Sequence, residues 1–396
     1  MLNDALVGES EFAYLLEGDC ERVTLFNVPK QAVALVEYAA GCNASSLIKD
    51  GGTLQMGIGS AGDALAHALI MRHRDNDNYK GILAALNQGR DIRHLHLEPF
   101  EQGLYGVSEM LVDVFLDLLE AGVIKREVDG ILIQGGFFLE PKSMYQRLRD
   151  LPQERLAKIN MTHIGCINGA HVEFNKKQQN RQNARFVNNA MKATLLGAVV
   201  SDGLDSGQVV SGAGGQYDFV RQSFALPNAR SILMLKAVRE SGDYRTSNIV
   251  WSYGHTTIPR HLRDVVVSEY GIADLRGVTD GAVISSMLAI CDVQFQVALL
   301  SVAKRNHKIT DTFALEKRWA ENTPFMLKAR MQPFFELGLL PQYPFGSDFT
   351  EIEQGLIPVL QKLKNTSRSK LGLLKMVVQG LKMKTTGNEL AAISRL

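Results

Sequence analysis

The sequence is poor in cysteine and lacks the spacings at which cysteine does chemistry. Cys20, Cys42, Cys166 and Cys291 lie far apart, with no CxxC pair and no Cys/His cluster. Neither a zinc site nor a disulfide framework is expected, and a reducing cytoplasm fits. The histidines contain no HExxH; His94 and His96 alternate on what reads as a strand, but no third ligand candidate accompanies them, so no metal is expected. There is no excess of one charge: a formal net charge of +1 removes the electrostatic footprint of a nucleic-acid binder. No GxGxxG with a downstream acid and no GxxxxGK[ST] is present, which argues against dinucleotide and P-loop sites. Ser108 and Ser211 lie outside any GxSxG elbow, so a serine hydrolase is not indicated. No apolar run approaches membrane-spanning length. The opening MLNDALVGESEFAYLLEGD is acidic and lacks a basic stretch followed by an apolar one, so it does not read as a signal peptide.

What is present is ordinary globular material. At 396 residues with 45% apolar side chains, the chain can bury a large core in two or three packed units. Short apolar runs at 53–59, 104–108, 130–138, 196–201, 231–236, 247–252 and 264–269 read as strands. Helical spacing follows Ser60, which could cap the helix it precedes, and recurs after Glu109, at 141–148, 216–226 and 282–304. In the second of these, Met110, Leu111, Val114, Phe115, Leu118 and Leu119 would form one apolar face, with Gly122 as the stop. Strands alternating with helices predict an α/β fold: an open, mainly parallel sheet with helices on both faces. Residues 1–45 read as a lead-in or the remnant of a preceding domain, 46–345 as the main domain, and 346–396 as a basic, helical carboxy-terminal extension.

The chemistry-bearing candidates are few. Glu109 stands at a predicted strand-to-helix junction, where sheets of this kind place ligands and where a helix dipole favours a carboxylate; acidic residues are also common there without function. Gly57 and Gly59 in GIG, and Gly212, Gly214 and Gly215 in SGAGGQYDF, follow apolar residues and precede helices. Glycines so placed let backbone N–H groups approach an anion or a developing oxyanion, or simply let a turn pack tightly. Asn168 in INGAHVEF and the triplet Glu269-Tyr270-Gly271 are weaker signals of the same kind.

Taken in order, five segments resemble one family. They are LIKDGGTLQMGIGSAGDAL, LYGVSEMLVDVFLDLLEAGVI, INGAHVEF, GQVVSGAGGQYDFVR and TTIPRHLRDVVVSEYGIADLRG, and they run collinearly over roughly residues 44–290. The resemblance is to the acetyl-CoA hydrolase/transferase family, in its carboxy-terminal, glutamate-bearing part. It implies a CoA-transferase-like fold whose catalytic glutamate, in the SEM position, is Glu109. It also implies that Gly57, Gly59, Asn168, Gly212, Gly214, Gly215 and Gln216 lie in the region that binds CoA and meets the oxyanion.

The expected activity is transfer of CoA between short carboxylic acids, from acyl-CoA such as acetyl-CoA, through a glutamyl-CoA thioester. An acyl-CoA hydrolase using the same glutamate, or a non-catalytic CoA-binding or assembly subunit, are the other readings. No permanently bound cofactor is implied; coenzyme A enters as substrate. Expected partners are acyl-CoA and small carboxylates, with a homo-oligomer or a complex with a chain carrying the family's amino-terminal domain. That domain would precede GIG, which here begins at Gly57. Local departures are Gly62 where the family has proline, a long polar excursion at 72–103, and VEFNKKQQNRQNARF where the family has a shorter VDxxGQ.

Overall fold

A computed structural model describes residues 7–15, 29–89, 95–169, 171–242 and 244–366. In chain order the described strands are β1 (Thr53–Met56), β2 (Tyr105–Met110), β3 (Ile133–Phe137), β4 (Ile159–Met161), β5 (Arg185–Asn189), β6 (Lys192–Thr194) and β7 (Val199–Val200). They continue with β8 (Arg230–Met234), β9 (Val238–Ser241), β10 (Tyr244–Ser247), β11 (Ile249–Val250), β12 (Val265–Ser268) and β13 (Gly271–Asp274). Eight form one sheet in the order β13-β12-β8-β5-β1-β2-β3-β4. Every neighbouring pair in it is parallel except the closing β12–β13 hairpin. This is the α/β class expected.

Parallel strands need crossovers, and the crossovers here cover both faces. Along β12, Val265 and Val267 join Leu54, Met56, Val187 and Ile232 in a core cluster with Leu65, Leu69, Phe115 and Leu118. Val266 faces the opposite way, with Leu233, Val220, Val283 and Met287. The period-2 alternation of a strand buried on both sides explains why these strands read as continuous apolar runs.

On the first face lie α1 (Leu35–Ser45), α2 (Ser60–Arg74) and α4 (Val114–Ala121); α3 (Asn76–Leu86) packs against α2. The stretch expected as a lead-in contributes α1, whose Tyr38, Cys42 and Ala44 are buried. A Cβ on Gly41 would lie 2.8 Å from the Ala64 carbonyl carbon and 2.9 Å from the Leu65 nitrogen, so α1 and α2 touch almost backbone to backbone. Segment 29–34 is tied to the far end of the main body by the Val33 N–H to the Gln342 carbonyl, 2.7 Å.

Several local expectations are corrected. The first strand ends at Met56, short of Gly59. Ser60 is not a cap: Gly59 precedes the helix, and the Ser60 hydroxyl donates instead to Glu37 Oε1 at 2.8 Å. The helix expected at 282–304 is two, Asp280–Ala289 and Val293–Arg305, because Asp292 interrupts it and accepts the Gln294 N–H at 3.0 Å. Strands β4 and β5 were not expected. His96 lies outside any strand, and His94 falls outside the described residues. The expected tail forms the helix Glu351–Thr366, and residues 367–396 lie outside the described ones. Among the described residues no helix is long and apolar enough to cross a membrane, and no group of three or more His, Cys, Asp or Glu could hold a metal.

The order of the strands decides where a ligand would sit. The chain lays down β1 to β4 toward one edge, then returns to place β5 on the other side of β1. The order reverses between β1 and β5, and sheets of this kind bind ligands beyond the carboxyl ends of the strands at such a point.

Candidate active site

Glu109 lies near the carboxyl end of β2, one strand from the reversal. It is on the strand, not at a helix start as its surroundings suggested: Leu111 N–H still bonds to Phe137 O of β3 at 2.7 Å, and α4 begins only at Val114. Gly122 ends α4 in the left-handed region, φ 82°, as expected. The helix dipole that Glu109 meets belongs to a different element. Its Oε2 accepts the Gly215 N–H, and Gly215 is the cap residue of the helix Gln216–Ala225. A carboxylate there is met by an unpaired backbone donor and the positive end of the dipole.

The glycines around this contact have a steric reason. A Cβ on Gly215 would overlap Glu109 Oε2 and lie 2.6 Å from Asn168 Nδ2; one on Gly214 would lie 3.5 Å from the same oxygen. Gly214 also has φ +53°, which L side chains rarely adopt. Gly136 on β3 was not singled out, but a Cβ there would lie 2.8 Å from the Glu109 carbonyl oxygen. Glu109, Asn168, Gly214 and Gly215 therefore converge, from residues far apart in the chain.

Asn168 ends the short helix Ile164–Ile167, and its loop is held from behind. The buried Arg181 donates to Cys166 O at 2.8 Å, Ile167 O at 2.9 Å and Gln222 Oε1 at 2.5 Å. Gln222 in turn donates to Asn168 O at 2.8 Å, and Lys177 Nζ donates to Gly165 O and Gly169 O. Arg181, Lys177 and Gln222 were missed from the sequence; for Lys177 and Arg181 the signal was the polar stretch VEFNKKQQNRQNARF, and Gln222 had none.

Gln216 extends the site toward the reversal point, its Nε2 donating to Asn189 O on β5 at 2.8 Å. Beyond it lies a cavity of about 550 Å³ at the ends of β5 and β8, with Gly59, Ser60, Asn189, Lys192, Lys236 and Arg239 among its lining. Gly59 thus faces this cavity and not Glu109. Gly57 sits between, its absent Cβ 3.5 Å from Asn188 Oδ1, and the buried Asn188 and Gln55 amides pair at 3.1 and 3.2 Å. Gly212 is exposed with open space around it. Glu269 is outside the cluster: burial pushes its carboxyl up to about 7, although the Ala237 N–H, 2.8 Å away, holds its charged form.

A buried charge cluster anchors the loop after β2. Lys30 Nζ lies 2.8 Å from Asp113 and 3.7 Å from Asp63. Burial disfavours the Lys30 charge, but the two carboxylates outweigh it and raise its pKa. Burial and then the Asp113 charge push Glu140 up to about 8, against Lys30. Burial likewise raises Asp63 to about 6, opposed by Lys30.

The rim is apolar and open. Ile58 after β1, Phe137 at the end of β3, Ile164 after β4, and Val209, Val210 and Tyr217 around the glycine loop are all exposed.

Residues 141–303 match the family model of the acetyl-CoA hydrolase/transferase C-terminal domain, the family that the motifs suggested. The chain is 26% identical over 308 residues to a 4-hydroxybutyrate coenzyme A transferase of Clostridium kluyveri, covering 77% of this chain and 62% of that one. It is 24% identical over 306 residues to a succinyl-CoA:cyclohexane-1-carboxylate CoA transferase of Geobacter metallireducens, covering 76% and 60%. Among solved structures it resembles RipA from Yersinia pestis, with TM-score 0.57, 23% identity and coverage of 72% of this chain and 57% of that one. The chain thus spans roughly three fifths of the relatives it matches.

Proposed function

We propose that this chain is the glutamate-bearing part of an acyl-CoA:carboxylate CoA-transferase, with Glu109 as the nucleophile. The observation that carries the reading is the convergence of Glu109, the Gly215 N–H and the Asn168 amide at the carboxyl end of the sheet. The names of the curated relatives support the reaction class.

A carboxylate nucleophile needs no partner base, being ionised near neutral pH. Glu109 attacks the thioester carbonyl, the C–S bond breaks, and an acyl-glutamyl anhydride and CoA thiolate result. The thiolate attacks the glutamyl carbonyl of the anhydride, giving a glutamyl-CoA thioester and releasing the first carboxylate. An acceptor carboxylate then attacks that thioester, and the sequence runs in reverse to free Glu109. Each addition makes an oxyanion; the Gly215 N–H, already on Glu109 Oε2, is the donor when the glutamyl carbonyl is attacked, and Asn168 Nδ2 is the donor for the acyl carbonyl, one such donor being worth about 3–4 kcal/mol of barrier. Gly57 and Gln216 shape the passage between the glutamate and the larger cavity. Lys192, Lys236 and Arg239 lining that cavity suit the phosphates of coenzyme A, whose remote binding energy lowers the barrier at the thioester.

Short acyl groups such as acetyl, a cytoplasmic location and the absence of a resident cofactor belong to the same proposal. So does association, with a second copy or with a chain supplying the rest of the relatives' length, because Ile58, Phe137 and Ile164 stay exposed where their strands end on the side of the sheet that carries Glu109. Hydrolysis by the same residue differs only in letting water resolve the anhydride or thioester. The test is CoA exchange between acetyl-CoA and a second carboxylate, by the chain alone and with a candidate partner. Product formed only with the acceptor, and lost in Glu109→Gln, is the expected result. Acceptor-independent thiol release means a hydrolase, and activity retained in Glu109→Gln removes the glutamate from the mechanism.

A further inference from the structure

Two cations are buried with no carboxylate in ion-pair contact among the described residues. Lys177 is 5% exposed and Arg181 2%, on and just past the helix Phe174–Asn180. Among the described residues neither forms an ion pair; their acceptors are the carbonyls of Gly165, Cys166, Ile167 and Gly169 and the Gln222 amide, all neutral. Isolated buried charge is costly, and neutral acceptors offset it only in part. Burial, then the Arg181 charge, lowers Lys177 to about 8, opposed by Cys166, Glu173 and Asp218, and burial lowers Arg181 to about 10, opposed by Tyr105, Cys166 and Glu173.

Both side chains line a second cavity, about 520 Å³ in volume, whose other walls include Gln134, Thr162, His163 and Lys176. Its carboxylates, Asp129 and Glu173, are exposed and lie beside Lys176 at 3.7 and 3.9 Å. It is distinct from the glutamate site. Tyr105, Val107 and Glu109 alternate along one face of β2; Tyr105 lines this cavity, and the fully buried Val107 stands between.

We propose that this cavity binds a small phosphate-bearing anion, held by Lys177 and Arg181 with Lys176 at its edge. A dianion matches two cations that no carboxylate touches, and Thr162 and His163 add hydrogen-bonding partners. Lys176, Lys177 and Arg181 all belong to the one polar stretch VEFNKKQQNRQNARF. Occupancy would be felt at Asn168, because the carbonyls that Lys177 and Arg181 hold flank it in the chain. An anion drawing Lys177 away from Gly165 and Gly169 would free that loop.

The test is calorimetric titration with inorganic phosphate and with pyrophosphate, at fixed ionic strength in chloride. The wild-type chain is expected to bind one anion saturably. Gln134→Glu places a carboxylate in the cavity as an internal counter-ion and should weaken binding at least about tenfold, with thermal stability kept or raised. Lys177→Met should weaken it similarly. Arg239→Met, which removes a cation from the larger cavity, should bind as wild type does, which separates this site from any phosphate subsite for coenzyme A there. No saturable binding, or affinity unchanged in both cavity variants, overturns the proposal.

Discussion

Replacing Gly215 by alanine separates the chemistry from the fold. The backbone there, φ −79° and ψ 5°, suits alanine without strain, so the unfolded-state effect of Gly→Ala works in favour of stability by about 0.4–1 kcal/mol. The added Cβ, however, overlaps Glu109 Oε2 and comes within 2.6 Å of Asn168 Nδ2 and 3.0 Å of its Cγ. Both side chains must move. Displacing a nucleophile by about an ångström costs on the order of 100-fold, and losing one oxyanion donor costs about 100- to 1,000-fold. The expected outcome is a kcat for CoA exchange at least about 100-fold down, with a thermal midpoint within a few degrees of wild type. Gly214→Ala should show the opposite balance, since φ +53° costs an L residue roughly 1–2 kcal/mol. If Gly215→Ala folds normally and keeps its rate, Glu109, Gly215 and Asn168 do not act together.

Other perturbations test the frame around the site. Gly41→Ala pushes a Cβ to 2.8–3.0 Å from Ala64 and Leu65, and should cost about 1–3 kcal/mol in denaturant unfolding by wedging α1 from α2; an unchanged midpoint would make α1 peripheral. Arg181→Met strands two acceptors, Cys166 O and Gln222 Oε1, since Ile167 O keeps the Gln222 Nε2 donor at 3.1 Å, and should cost roughly 2 kcal/mol or more by the same measurement. Glu140 is held protonated, its folded pKa raised to about 8, so the folded state binds more protons than the unfolded chain above the ordinary glutamate range. Its contribution is full at acid pH and is lost as pH rises through about 8. Glu140→Gln should therefore raise the thermal midpoint at pH 8 relative to wild type and change it less at pH 5; an equal effect at both would refute the linkage.

The fold class was legible because its signals are local. Val265–Ser268 and Arg230–Met234 lie between two layers of helices and read as unbroken apolar runs. β5 was missed because its partner contacts are polar: Asn188 is buried but spends its amide on Gln55, which apolar periodicity cannot register. The end of β2 misled for a related reason. Met110 and Leu111 continue the helical spacing of α4, yet the β3 ladder holds them extended, a tertiary contact that outweighs local pattern. Of the candidate residues, Glu109, Asn168, Gly214 and Gly215 meet in space, but the spacing of 106 residues between Glu109 and Gly215 carries no hint of it. The family motifs supplied that grouping. They could not supply the support from Arg181 and Lys177, which belong to the stretch in which this chain differs.

The most direct test of Glu109 as the covalent nucleophile is mass spectrometry of the purified chain after incubation with acetyl-CoA and then borohydride. Borohydride reduces a glutamyl-CoA thioester to the alcohol and leaves a permanent mark on the residue. The account predicts that mark at Glu109, absent from Glu109→Ala, in the chain alone or together with a protein supplying the remainder of its relatives' length. A mark on another residue, or turnover by such an assembly without modification of Glu109, contradicts it.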